Sequence, residues 1–255
     1  MDPIITNALM TFGAGFTAAA FSKAQGPAQV LDDAMTLVGF DKLHEVAQKK
    51  RVQRDQNIQQ YKDSIAQNIV KIPKENIQEP PLSVVGPALE ASKYYIEEKS
   101  LREMFAKVIA QSMDNRVNNK IHTSFVDIIR QLSPYDAQFL QKLKSKHIYV
   151  DSPVATMKMV IKNTDGTEKT VFPIISIFDV NDDFMKNAVT INNLERLGIL
   201  KYSADRWNVD DYSYSIYYNY FQITNALKQH PEMSLTKTSF AVNNFGANFI
   251  DLCVE

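Results

Sequence analysis

The sequence predicts an α+β fold: a mainly helical N-terminal half, followed by a winged-helix-like α+β part that contains an inserted β-hairpin. Three observations lead there. Apolar residues recur at helical spacing through most of residues 28–132. Prolines 73, 80, 81 and 87 punctuate that stretch and divide it into separate helices. Two β-rich runs, 154–160 and 170–178, flank the turn sequence Asn163-Thr-Asp-Gly-Thr167. The expected division is an N-terminal helical region over 1–78, a central helical block over 79–133, and the winged-helix-like part over 134–255.

Residues 4–21 carry no charge, and Lys23 is the single charge between Pro3 and Leu31. At roughly 18 residues this stretch approaches the ~20 that span a bilayer. Leu9, Phe12, Phe16 and Phe21 supply its bulk, while Thr6, Asn7, Thr11, Thr17, Gly13 and Gly15 oppose a constitutive span. Two readings stand: a helix packed on the body or on another copy, or a helix that meets a membrane under a trigger. Gly26-Pro27 breaks the segment, and a second helix is expected over 28–38. A long polar helix then runs to Val70, its thin apolar edge formed by Ile58, Tyr61, Ile65 and Ile69. The basic cluster Lys49, Lys50, Arg51 and Arg54 is diluted by Glu45, Asp55 and Asp63, and reads as a solvated face.

A helix is expected from Pro81 to Ile96, kinked or restarted at Gly86-Pro87. Ser100 with Glu103 suggests a capping box before Met104, Phe105, Val108 and Ile109. Thr123 or Ser124 is placed to cap a further helix, which Ser133-Pro134 ends. The residues Glu79-Pro80-Pro81-Leu82, GPALEA at 86–91, LREMFAKVIAQSMD at 101–114 and IHTSFVDIIRQLSP at 121–134 resemble the Abi-alpha (abortive infection alpha) family of bacteria. The resemblance extends over most of the chain and is weakest before residue 27 and over 202–235. Thr123 stands where the family often has proline, and both residues suit a helix start. The resemblance implies a role in abortive infection, in which an infected cell stops growing or dies before phage matures.

Beyond Pro134, Ser133 is expected to cap a helix from Asp136. Pro173 cannot donate to a ladder and places its strand at a sheet edge. Asn181 is expected to cap a helix that Gly198 terminates, with strands near 199–202 and 236–242 and a final helix after Asn243. Residues 181–201 hold three acids and three bases, and from Tyr202 onward six acids outnumber three bases. Such a core lacks the cationic surplus that phosphate contacts require, so nucleic acid is not an expected partner.

The formal net charge of −1 gives no general attraction to nucleic acid or anionic lipid. Cys253 is the sole cysteine, which excludes an internal disulfide and a multi-cysteine zinc site, and suits a reducing compartment. The expected location is the cytoplasm, peripheral to the inner membrane if the apolar start docks there. His44, His122, His147 and His230 show no metal-ligand spacing, and His122 beside a helix start reads as a capping or packing residue rather than a catalytic base. No catalytic, cofactor-binding or metal-binding residues are assigned, and no cofactor is expected. The aromatic run Tyr212, Tyr214, Tyr217, Tyr218, Tyr220 and Phe221, near Trp207, is either a packed interface with a sheet or an interaction surface. The function expected is non-enzymatic phage defence through contact with a host or phage protein, or with a second copy of the chain. A membrane-perturbing effector using residues 4–21 is the first alternative. A hydrolase or nuclease with dispersed catalytic residues is the second.

Overall fold

The protein is described by a computed structural model over residues 48–148 and 150–255, with side chains from Val52 onward. The apolar stretch with Leu9, Phe12, Phe16 and Phe21, the helix expected over 28–38, and the side chains of Lys49, Lys50 and Arg51 lie outside the described residues. Among the described residues, no helix is long and apolar enough to cross a membrane. Over the described residues the fold is α+β, mainly helical up to Ser145 and with a four-stranded antiparallel sheet in the C-terminal part. Contacts divide the described chain into two units, residues 48–141 with 248–255 and residues 142–247.

The first unit is built on helices α1 (Gln48–Val70), α2 (Leu82–Ser92), α3 (Lys99–Ser112) and α4 (Ser124–Arg130). It also holds most of α5 (Pro134–Ser145) and the latter part of α9 (Asn244–Cys253). Helix α3 is the pillar: Leu101, Met104, Phe105, Val108 and Ile109 are buried, and so are Arg102 and Glu103. Tyr61, Ile65 and Ile69 form the buried edge of α1, which packs on α3. The thin apolar edge of α1 finds its cover on α3.

The prolines act as expected only in part. Pro81 starts α2, but Pro87 lies within an unbroken helix, which ends at Ser92 rather than Ile96. Pro87 is the sixth residue of the helix, so its missing N–H forgoes one intrahelical bond, to the Ser83 carbonyl. Before α2, the proline-rich entry pairs with the turn after α3. Gln78 N–H donates to the Met113 carbonyl (2.8 Å) and Asn115 N–H to that of Asn76 (2.9 Å).

Caps correct the sequence reading in three places. Ser100 caps nothing, since α3 begins at Lys99 with no side-chain cap bond. Thr123 and Ser124 give way to His122, whose Nδ1 accepts the Ser124 N–H (3.2 Å) and lies 2.7 Å from its Oγ. The Asn181 cap is replaced by Asp183, whose carboxylate accepts the N–H groups of Met185 (3.1 Å) and Lys186 (3.2 Å). The Ser133 cap stands, as a reciprocal box: Ser133 Oγ accepts from Asp136 N–H (3.1 Å) and Asp136 Oδ2 from Ser133 N–H (2.8 Å). The last eight residues join this first unit. Phe249 meets Phe125 edge-on at 5.3 Å, and the Lys107 ammonium donates to the carbonyls of Asp251 (2.9 Å) and Val254.

In the second unit the sheet order is β2-β1-β4-β3, with β1 Val154–Lys162, β2 Glu168–Ile175, β3 Leu200–Ser203 and β4 Met233–Val242. The hairpin of β1 and β2 forms half of this sheet, with β1 paired to β4 from Val154↔Phe240 to Ile161↔Met233. Pro173 lies on edge strand β2, as expected. Around it the register gains a residue on β2, between Met159↔Phe172 and Met157↔Ile175. The sheet curls so far that the Tyr202 hydroxyl on edge strand β3 donates to the Pro173 carbonyl on edge strand β2 (2.8 Å). Helix α6 (Phe184–Arg196) packs against β2 and β3. Gly198 ends it with φ +75°, a backbone conformation for which glycine is suited. Between β3 and β4 lie a 3₁₀ turn (Asp211–Tyr214) and helices α7 (Ser215–Asn219) and α8 (Phe221–Gln229).

Candidate interaction site

The aromatic run divides into two registers. Tyr214, Tyr217, Tyr220 and Ile223 recur every third residue and are all buried, with Met157, Met159, Ile175 and Ile177 beneath them. Tyr212, Tyr218 and Phe221, at intervals of six and three with Ser215 between the first two, are 82%, 53% and 78% exposed. The interval of three begins in the 3₁₀ turn, runs through α7 and passes the break at Tyr220 (ψ 117°) into α8. Of the two readings of the aromatic run, the packed interface holds for three of the six residues. Tyr214, Tyr217 and Tyr220 are core, and the exposed register is Tyr212, Tyr218 and Phe221.

The inward tyrosines do more than fill volume, because each hydroxyl fastens a different piece of backbone. Tyr214 accepts from Asn208 N–H (2.9 Å) and donates to the Thr238 carbonyl (3.3 Å). Tyr217 stands where the β1–β2 ladder opens, accepting from Ile177 N–H (3.2 Å) and donating to the Ala155 carbonyl (2.8 Å). Tyr220 donates to the Asp182 carbonyl at 2.6 Å. Burial raises all three hydroxyls above the usual phenol range, which keeps them protonated as donors. The Lys237 ammonium lies 4.9 Å from the Tyr214 ring centre and pairs with Asp211.

Asp182 closes the framework. Its Oδ2 accepts from the N–H groups of Phe178 (2.7 Å) and Asp179 (3.1 Å), and its other oxygen pairs with Lys142. Burial pushes this carboxyl up, but the Lys142 and backbone hydrogen bonds outweigh it and hold the pKa below the ordinary value. The exposed aromatics are thus mounted on a fixed base.

Tyr212 also borders an open cleft of about 610 Å³, walled by Lys146, His147, Pro153, Phe178 and Ile216 among others. Trp207, 51% exposed, lies in the loop leading to Tyr212. No sequence motif announced the cleft, since its walls come from four separate segments. The split of the aromatic run was readable as Tyr-x2-Tyr-x2-Tyr-x2-Ile. His122 is a cap, His147 Nδ1 lies 3.1 Å from the Ser145 carbonyl, and His230 lies 3.2 Å from Glu232. Among the described residues, no group of three or more His, Cys, Asp or Glu is placed to hold a metal ion. Cys253 is buried.

No curated protein and no solved structure matches the chain. The family model described as abortive infection alpha matches residues 53–253, which takes in every described strand and most of α1. The chain belongs to the Abi-alpha, or abortive infection alpha, family.

Proposed function

We propose that this protein serves abortive infection as a non-enzymatic binding protein, presenting Tyr212, Tyr218 and Phe221, with Trp207 in the loop before them, to a host or phage protein. Membership of the abortive infection alpha family supports the biological setting. The observation that carries the binding role is the exposure of three large aromatic side chains on a segment whose alternate residues are pinned by buried hydroxyls. Rigid aromatics lose little side-chain freedom on contact, and such residues dominate binding energy at protein interfaces. In this reading the stretch α6–β3–β4 is a winged-helix-like scaffold for protein contact, and the cytoplasm is where it works.

The test combines phage challenge with affinity capture from infected cells, using Tyr212→Ala/Tyr218→Ala/Phe221→Ala. These side chains are exposed, so the melting temperature should stay close to that of the parent. Loss of both protection and captured partner is the expected result. Undiminished protection by the triple variant would remove the proposal.

A further inference from the structure

A second concavity lies on the β3–β4 side of the sheet and encloses about 190 Å³. Its floor is set by register. Lys201 pairs with Ala241 and Ser203 with Ser239, so these four side chains share one face, opposite to Tyr202 and Phe240. Arg206 rises from the loop after β3, Asn243 follows β4, and Asp151 and Pro153 lead into β1. The walls are fixed by short bonds. Ser239 Oγ donates to the Arg206 carbonyl (2.7 Å), and Arg206 N–H donates to Ser203 Oγ (3.1 Å). The Asp151 N–H holds the Val242 carbonyl (2.9 Å) with Asp151 in the left-handed region at φ +57°.

The charged groups in this pocket are uncommitted. Elsewhere in the same unit Lys142 pairs with Asp182, Lys158 with Glu168, and Lys237 with Asp211. The Lys201 ammonium, the Arg206 guanidinium and the Asp151 carboxylate have no ion pair or side-chain hydrogen bond among the described residues. Ser203 accepts a bond but its own hydroxyl proton is free, and Asn243 uses one amide hydrogen on the Gly198 carbonyl (2.9 Å), which leaves the other. The pocket therefore offers two cations, a hydroxyl donor and an amide donor, with one carboxylate acceptor. Its volume corresponds to roughly six water molecules at ~30 Å³ each, too small for a nucleotide.

We propose that this pocket binds a small hydroxylated phosphate monoester. The phosphate lies between Lys201 and Arg206, with Ser203 and Asn243 donating to its remaining oxygens. A tetrahedral oxyanion uses all four donors at once, whereas a planar carboxylate is satisfied by the guanidinium alone. Asp151 repels a second anion but accepts the hydroxyl of the organic portion, which selects the ester over inorganic phosphate. The site is separate from the exposed aromatic register and does not depend on it.

The test is calorimetric titration of the full-length protein with glycerol 3-phosphate, inorganic phosphate and glycerol at low salt. Saturable binding of the ester is expected, weaker binding of inorganic phosphate, and none of glycerol. Lys201→Gln/Arg206→Gln replaces two exposed side chains and should weaken the ester by about tenfold or more, given the strength of charge-assisted bonds. Asp151→Asn should narrow the gap between ester and inorganic phosphate. Absence of saturable ester binding, ester affinity unchanged in the double variant, or tighter binding of a single-stranded oligonucleotide than of the ester would each overturn the proposal.

Discussion

The two units stabilise their interiors by different means, and the difference explains which part of the chain its sequence describes best. In the helical unit, α3 is buried on nearly every side, and its partners contribute continuous helical faces. Order there comes from volume filled at regular intervals. In the sheet unit much of the backbone between strands is irregular, and single oxygen atoms hold it: three tyrosine hydroxyls and the Asp182 carboxylate each fasten separate segments. One unit should be most sensitive to lost volume, and the other to lost polar atoms.

The largest expected effect tests the first half of that contrast. Phe105 is fully buried at the centre of α3 and lies 5.7 Å from the Tyr95 ring. Phe105→Ala should destabilise by about 3–5 kcal/mol in urea unfolding, the cost of transfer plus an unfilled cavity. A loss below about 1 kcal/mol would mean that the helical unit closes around the gap, and the contrast would fail. In the sheet unit the strongest steric constraint is Gly246, where a Cβ would stand 1.9 Å from the backbone oxygen of Ile199. Gly246→Ala forces backbone to move and should cost about 1–3 kcal/mol, despite alanine's better helix propensity. A stabilised variant would show that the approach of α9 to Ile199 is not tight.

Next comes a matched pair on neighbouring residues. Tyr217→Phe keeps the ring but strands the Ile177 N–H and the Ala155 carbonyl, for an expected cost of about 1–3 kcal/mol. Tyr218→Phe removes an exposed hydroxyl and should stay within about 0.5 kcal/mol of the parent. Equal effects at the two positions would erase the distinction between inward and outward registers.

The same contrast accounts for what could be read in advance. Helical periodicity places Tyr61, Phe105 and Ile109 in a core because a helix repeats regularly and its buried stripe follows. The hairpin was legible because Asp165-Gly166 defines a turn and Pro173 defines an edge. Caps were harder, since Ser100, Thr123 and Asn181 all have suitable chemistry, yet Ser100 and Thr123 make no cap bond and Asp183 takes the role expected of Asn181. The placement of β1 beside β4, which makes the hairpin half of the sheet, depends on pairing residues about 80 positions apart, such as Thr156 with Thr238. Clustering of aromatics does not by itself say which of them turn inward, whereas the repeat of buried residues from Tyr214 to Ile223 does. The walls of both concavities come from segments distant in sequence, so no motif marks them.

The smallest effect concerns acid, and it separates the two units by their carboxylates. Asp182 in the sheet unit and Asp114 in the helical unit both titrate below the usual carboxylate range. For Asp182, burial raises the pKa but is outweighed by Lys142 and the backbone donors. For Asp114, the hydrogen bond from Arg116 leads the lowering. A depressed folded pKa means that the unfolded chain binds more protons just below its own carboxyl pKa of about 4. The stabilisation is thus complete above that pH and disappears as pH falls through the folded value. Asp182→Asn should therefore flatten the decline in stability as pH falls below about 4. It should do so most clearly in near-ultraviolet signals, because Tyr220 bonds to the Asp182 carbonyl and its ring lies 6.2 Å from that of Phe184. Asp114→Asn should flatten the same decline without that tyrosine signature, since among the described residues the Asp114 side chain is held by Arg116 alone. Matching near-ultraviolet responses from the two variants would show that the tyrosine-fastened framework gives the sheet unit no acid response of its own.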